Sequence, residues 1–214
     1  MKYGYCVLPE WFKVPTFAFF IKKDLDKTNP FTELDIIKGD IVLEGGCFIG
    51  TFASACIEAG ANVVTSFECE KRNYDFSLSN LEKYGNKIEL INAALVAGRV
   101  PFIKIFLSGC RVANSIIQRE KTKKFITVRA VQFRQQLLKL KPSVFKLDIE
   151  GAEYDIVRSL QPGDMASVRE FYIEFHKHDE REQRIAEFER FIESEGFKKT
   201  PGSKPRKFVA KRSL

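Results

Sequence analysis

Between residues 40 and 95 the chain alternates short apolar runs with helix-period segments, and glycines or acids mark the changes. The apolar runs are DIVLEGG (40–46), ANVVTSFE (61–68) and KIELINAAL (87–95). Between them, TFASACIEAG (51–60) and KRNYDFSLSNLEKYG (71–85) carry apolar residues at helical spacing and close on Gly60 and Gly85. Glycine suits the left-handed position that ends a helix. Strands separated by a helix run parallel, because the crossover returns the chain to the same edge direction. This alternation predicts a mostly parallel sheet covered by helices.

The second half continues the pattern. SVFKLDIE (143–150) reads as a strand and AEYDIVRSL (152–160) as a helix with Ala152, Ile156, Val157 and Leu160 on one face. REFYIEFH (169–176) is another strand. DEREQRIAEFERFIESEG (179–196) is an amphipathic helix with Ile185, Phe188, Phe191 and Ile192 inward. GFKKT and RKFVAKR form a terminal hairpin about the PGSKP turn. Residues 96–142 are less regular, with PFIKIFL and FITVRAV strand-like and QFRQQLLKL helical. The expected fold is α/β: a doubly wound, mostly parallel sheet with helices on both faces and a C-terminal antiparallel hairpin. With no internal repeat or linker, residues 1–214 read as one domain. It carries an N-terminal extension (1–30) and a variable basic insert (96–142).

Composition narrows the class. No apolar run approaches the roughly 20 residues of a membrane span, and the start, MKYGYCVLPEWFKVP, lacks the pattern of a signal peptide. Five cysteines, with no CxxC pair, read as reduced thiols of a cytoplasmic protein. The net charge of +7 is uneven. Residues 101–142 hold ten basic residues against one acid, Glu120, and seven basic residues follow Gly196 with no acid. Such segments attract anions, whether a phosphate, a glycan carboxylate or nucleic acid. A solvated lysine-rich surface gives the same pattern.

VLEGGCFIGTFA joins the first strand to its helix, where open α/β folds hold ligands. Gly45 and Gly50 have P-loop spacing, but Thr51 stands in place of the phosphate-gripping lysine and Phe52 in place of the Ser/Thr. GxGxxG spacing is absent too. What remains is Glu44-x-Gly46-x-x-x-Gly50, an acid at a strand end followed by glycines that permit close approach to the backbone. The second strand ends in Glu68, placed to accept hydrogen bonds from ribose hydroxyls. Ala93 and Ala94 end the third strand with room for a flat ring. These features suit a cofactor with an adenosine and no pyrophosphate.

The blocks IKGDIVLEGGCFIGTFA, TSFECEKRNYDFSLSNL, INAAL, FKLDIEGAEYDIV and EFYIEFH occur in that order. Over residues 36–177 the chain resembles the FkbM family of class I S-adenosylmethionine-dependent methyltransferases, and KLDIEGAE is the most specific block. The resemblance implies a Rossmann-like fold, S-adenosyl-L-methionine as methyl donor, and a hydroxyl acceptor on a small molecule or glycan. It places the cofactor against Glu44, Gly46, Gly50 and Glu68. Cys47, Phe48, Thr51, Cys69, Ala93 and Ala94 complete the expected cofactor side. Two departures stand out: Phe48 replaces a polar asparagine of the loop, and VQF (131–133) replaces the usual TLD.

Methylating an alcohol requires loss of its proton as the oxygen attacks the methyl carbon, so a carboxylate or histidine within hydrogen-bond reach is expected. Asp148 and Glu150, two apart on a predicted strand, share a face at its carboxyl end. His176, at the end of the next strand, is the other candidate base; His178 follows it. A divalent metal held by Asp148 and Glu150 could instead polarise the acceptor oxygen, but with no further evident ligand none is assigned. Glu153 reads partly as a helix-dipole partner. Two alternatives stand beside O-methylation. One is an RNA methyltransferase, suggested by the basic segments. The other is a non-catalytic anion- or nucleic-acid-binding module, suggested by Phe48.

Overall fold

The computed structural model describes residues 33–107, 124–176, 181–201 and 207–212. The expected N-terminal extension, most of the PGSKP turn, His178, Cys6, Cys110 and the middle of the basic insert lie outside these residues.

In chain order the strands and helices are β1 (Ile41–Gly45), α1 (Thr51–Ala59), β2 (Val63–Phe67), α2 (Lys71–Leu81), β3 (Ile88–Ile91), β4 (Ala94–Val96), β5 (Phe102–Phe106) and β6 (Phe125–Gln132). Then follow α3 (Phe133–Leu140), β7 (Val144–Leu147), α4 (Glu153–Ser159), β8 (Glu170–Glu174), α5 (Arg181–Ser194), β9 (Phe197–Lys199) and β10 (Lys207–Arg212). A seven-stranded sheet has the order β3-β2-β1-β7-β8-β10-β9. Its first five strands are parallel. β10 runs antiparallel to both β8 and β9, which makes the expected C-terminal hairpin.

Alternation along the strands sorts side chains to two cores. Leu43, Phe145, Leu147, Phe171 and Ile173 pack with Leu137, Ile156, Ile185 and Phe188 of α3, α4 and α5. Val42, Val64, Val144 and Tyr172 pack with Phe52 and Cys56 of α1 and Leu81 of α2. The sheet is therefore covered on both faces, as continuous apolar strands require. Phe145 and Phe171 stack across β7 and β8 with ring centroids 4.9 Å apart.

Three boundaries differ from the sequence expectation. KIELINAAL divides at Asn92–Ala93: β3 stays in the main sheet, whereas β4 joins a separate three-stranded sheet, β4-β6-β5. Hydrophobicity does not mark this break, because both pieces are apolar. Helix α2 ends at Leu81, and residues 82–87 form a tighter turn around Gly85, whose φ is 56°. Strand β7 ends at Leu147, so Asp148 and Glu150 lie beyond it rather than in it.

The strand order reverses direction between β1 and β7, and open sheets bind ligands at the carboxyl ends flanking such a reversal. Gly45 at the end of β1 is paired in register with Leu147 at the end of β7. The glycine loop and the acidic block, 100 residues apart in sequence, thus leave the sheet side by side.

Candidate active site

The glycine loop is fixed to its neighbours by backbone geometry. The N–H groups of Gly46 and Cys47 both donate to the Phe67 carbonyl, at 3.0 and 3.1 Å. Gly46 has a φ of 83°, and a Cβ there would lie 1.9 Å from the Asp148 carbonyl oxygen. At Gly50, φ 88°, a Cβ would meet Leu81 at 2.8 Å. From the sequence, these glycines offer room for a ligand. In the fold, the space at these two positions is taken by the acidic turn and by α2.

Phe48 adopts a φ of 55°, a left-handed conformation in which asparagine and glycine are at ease and a bulky residue is strained. Its N–H donates to Glu68 Oε2 at 2.8 Å, and the Glu70 N–H donates to Glu68 Oε1 at 2.9 Å. Glu68 is 7% exposed. Burial pushes its pKa up to about 7, against the lowering effect of the two backbone donors. Glu70 caps α2 by accepting the Asn73 N–H at 3.0 Å.

Asn92 donates to the Glu68 carbonyl at 2.8 Å, which ties the end of β3 to the end of β2. Ala93 and Ala94 are buried, and Cys69 packs against Ala94 and the small second sheet. Cys47 is buried, and Thr51 opens α1 beside it. The loop after β1, Glu68 and Cys69 after β2, and the alanines after β3 therefore occupy adjoining strand ends. Cys47, Cys56 and Cys69 are free thiols.

Glu44 turns into the protein. Its side chain is fully buried and accepts the Ser66 hydroxyl at 2.7 Å. Burial raises its pKa, with Lys146 opposing. Lys146 was missed by sequence reasoning, although a lysine inside the apolar run SVFKL was the available signal. Its Nζ is buried, donates to the Gly46 carbonyl at 3.1 Å, and lies 3.6 Å from Glu44 and 3.8 Å from Asp148. Burial lowers its pKa, but Asp148 and Glu44 outweigh that and keep it charged. One cation thus braces the loop carbonyl, the strand acid and the acidic turn.

Asp148 and Glu150 do converge, by a different route from strand alternation. The chain turns after Leu147, with Glu150 at a φ of 57°, and both acids meet His176. His176 Nε2 lies 3.1 Å from Glu150 Oε1 and 3.7 Å from Asp148 Oδ1. Its Nδ1 lies 2.9 Å from Glu153 Oε1. Burial works to lower the His176 pKa, but Glu150 and Glu153, then Asp148, raise it to about 10.

Glu153 exceeds its expected dipole role. It is fully buried and accepts the N–H groups of Ile149 at 3.0 Å and Gly151 at 2.8 Å, so it builds the turn that carries both acids. The Tyr154 hydroxyl donates to the His176 carbonyl at 2.6 Å and fixes the histidine backbone.

The glycine loop and the acid–histidine cluster lie together at the strand-order reversal of an open α/β sheet. The methyltransferase FkbM domain matches residues 49–199, and the chain belongs to that family. It is accordingly a methyltransferase dependent on S-adenosyl-L-methionine. No curated protein matches the sequence. Among solved structures, the chain is similar to a precorrin-6y C5,15-methyltransferase from Geobacter metallireducens at 12% identity and a TM-score of 0.46, covering 86% of this chain and 85% of that one. It is also similar to Aeropyrum pernix fibrillarin with natively bound S-adenosyl-L-methionine, at 12% identity, a TM-score of 0.45 and coverages of 91% and 73%. Methanococcus jannaschii fibrillarin, a pre-rRNA processing protein, gives 15% identity, a TM-score of 0.46 and coverages of 84% and 69%. Family membership rests on the domain match, not on these distant likenesses. Among the described residues, no helix is long and apolar enough to cross a membrane.

Proposed function

We propose that the protein methylates a hydroxyl oxygen on a small molecule or glycan, with the acceptor lying against Asp148, Glu150 and His176. The observation that carries this reading is the direct abutment of the two regions. Gly46 of the loop packs on the Asp148 backbone, so a donor held by the loop and an acceptor held by the acids are neighbours.

The residues fit an adenosine-bearing donor. Each Glu68 oxygen accepts one backbone N–H, and a carboxylate oxygen has two lone pairs. The Asn73 side chain also bonds to this carboxylate, so a ribose hydroxyl would use the acceptor capacity that remains. Ala93 and Ala94, with Cys69 beside them, supply small side chains at the next strand end. Phe48 and Thr51 lie on the loop beside them, with Cys47 buried beneath. Glu44 acts indirectly, by holding Lys146 under the Gly46 carbonyl.

When bound, S-adenosyl-L-methionine supplies an electrophilic methyl group on sulfur. The acceptor hydroxyl must then give up a proton. In the metal-free protein a His176 titrating near 10 already carries one at neutral pH, so the accepting groups are the carboxylates. Asp148, with its side chain 34% exposed, is the more open of the two. The carboxylates at this mouth disfavour a polyphosphate acceptor, which places RNA second to a small molecule or glycan.

Isothermal calorimetry tests the donor side. The full chain binds S-adenosyl-L-methionine, and Glu68→Ala weakens binding about 10- to 100-fold, as expected for the loss of one or two charge-assisted hydrogen bonds. Absence of binding by the unmutated protein overturns the reading. Salt-sensitive RNA binding, together with methyl transfer to RNA, would replace the proposed acceptor.

A further inference from the structure

We propose that Asp148, Glu150 and His176 form a site for one divalent cation, Mn2+ or Mg2+, at the acceptor end of the crevice. The role given to the ion rests on the methyl-transfer reading above; its binding does not. One oxygen of each acid and His176 Nε2 all lie within 4.8 Å of one another. Cis ligands of an octahedral ion with bonds of about 2.1 Å lie about 3 Å apart. Glu150 and His176, at 3.1 Å, already stand at that spacing. Asp148, at 3.7 Å from Nε2, reaches it by a small side-chain rotation.

The histidine is independently built as a ligand. It is 4% exposed, and its Nδ1 faces the fully buried Glu153, itself fixed by the Ile149 and Gly151 amides. A carboxylate behind a histidine selects the tautomer with the proton on the near nitrogen and directs the far lone pair outward, the usual support of a metal-bound imidazole. Here the outward nitrogen meets two carboxylate oxygens. A divalent cation placed among these three atoms would be met by one oxygen of each acid and by Nε2. Lys146 does not fill that role: it approaches the other Asp148 oxygen, at 3.8 Å, and is engaged with the Gly46 carbonyl and Glu44.

Two carboxylates and one imidazole suit Mn2+ or Mg2+ and leave coordination positions open on the exposed side of Asp148. An ion there would polarise a bound hydroxyl and ease loss of its proton to a carboxylate oxygen of Asp148 or Glu150 that does not bind the ion. It also narrows the acceptor class. Adjacent open positions favour a substrate with adjacent oxygens, such as a vicinal diol or an α-hydroxy acid, over an isolated alcohol.

The test is a Mn2+ titration of the purified full chain, followed by electron paramagnetic resonance of the free ion. S-adenosyl-L-methionine calorimetry is run on the same preparations. One Mn2+ per chain is expected, with affinity falling about 100-fold in both Asp148→Asn and His176→Gln, at the upper end of what disturbing a metal's surroundings costs. Asp148→Asn, at a partly exposed position, carries the test if His176→Gln does not fold. No Mn2+ binding, or equal binding by the unmutated protein and a folded variant, overturns the site and leaves a protonated His176 as the cation among the acids. Donor binding without Mn2+ binding refutes the site alone. Mn2+ binding without donor binding refutes the methyl-transfer reading alone.

Discussion

The two sides of the crevice use carboxylates in opposite environments. On the proposed donor side, Glu68 accepts two backbone amides, with no side-chain cation at hydrogen-bond distance among the described residues, and burial moves its pKa up to about 7. On the acceptor side, Asp148, Glu150 and Glu153 surround His176, and Lys146 stands behind Asp148. The first arrangement holds a loop in shape through backbone donors. The second gathers charge around one buried imidazole. A carboxylate's role follows from what faces it more than from its residue type.

The contact that joins the two sides is the first to break. Gly46→Ala places a methyl group 1.9 Å from the Asp148 carbonyl and demands a positive φ of alanine. A loss of about 4 kcal/mol or more is expected in urea unfolding, since a backbone atom cannot swing aside. A variant within 1 kcal/mol of the parent, on the scale of an ordinary surface change, would show that the loop and the acidic turn move independently.

Lys146→Met follows in size. It leaves Glu44 buried without its cation, for a loss of about 3 kcal/mol. Adding Glu44→Gln should recover a large part of it in the same unfolding assay. Lack of recovery would mean that Lys146 acts mainly through the Gly46 carbonyl and Asp148.

The third prediction separates the sides by pH. Glu68 has a folded-state pKa raised from 4.5 to about 7, so the folded protein holds a proton that the unfolded chain has released. Its contribution to stability is fully present below about pH 4.5 and is lost as pH rises through 7. Across that window Glu68→Gln should flatten the stability profile by an amount on the order of 1–3 kcal/mol. Unchanged slopes would place the proton elsewhere.

The smallest expected effect is at Phe48. A left-handed φ of 55° costs a non-glycine residue about 1–2 kcal/mol, and asparagine tolerates it better. After lost ring contacts, Phe48→Asn should raise stability by up to about 1 kcal/mol in thermal melts. A fall instead would show that the ring's packing outweighs the backbone strain.

The elements that carry the proposed donor side are legible because their signals are local. Glycines at 46 and 50, an acid closing β2 and small residues after β3 follow from strand and helix periodicity over a few tens of residues. Their neighbours were not legible. Asp148 and Leu81, which occupy the space beside Gly46 and Gly50, come from distant segments. The split at Asn92–Ala93 escaped notice because a strand that leaves one sheet for another keeps its apolar character. On the other side the sequence singles out Asp148, Glu150 and His176, which the fold brings together, but strand alternation does not produce that convergence. A turn built by Glu153 produces it instead.

The sequence by itself determined the order of strands and helices, the faces they bury and the family, since these depend on periodicity and short blocks of residues. Tertiary structure decided that β1 lies beside β7, because a strand's hydrogen-bonding groups do not specify which distant strand pairs with them. That choice put Gly46 against Asp148 and drew Lys146 beneath the loop. Pairing β8 beside β7 then brought His176 over the acids. The chemistry of the crevice depends on these long-range choices, because a charge is set by what is folded against it.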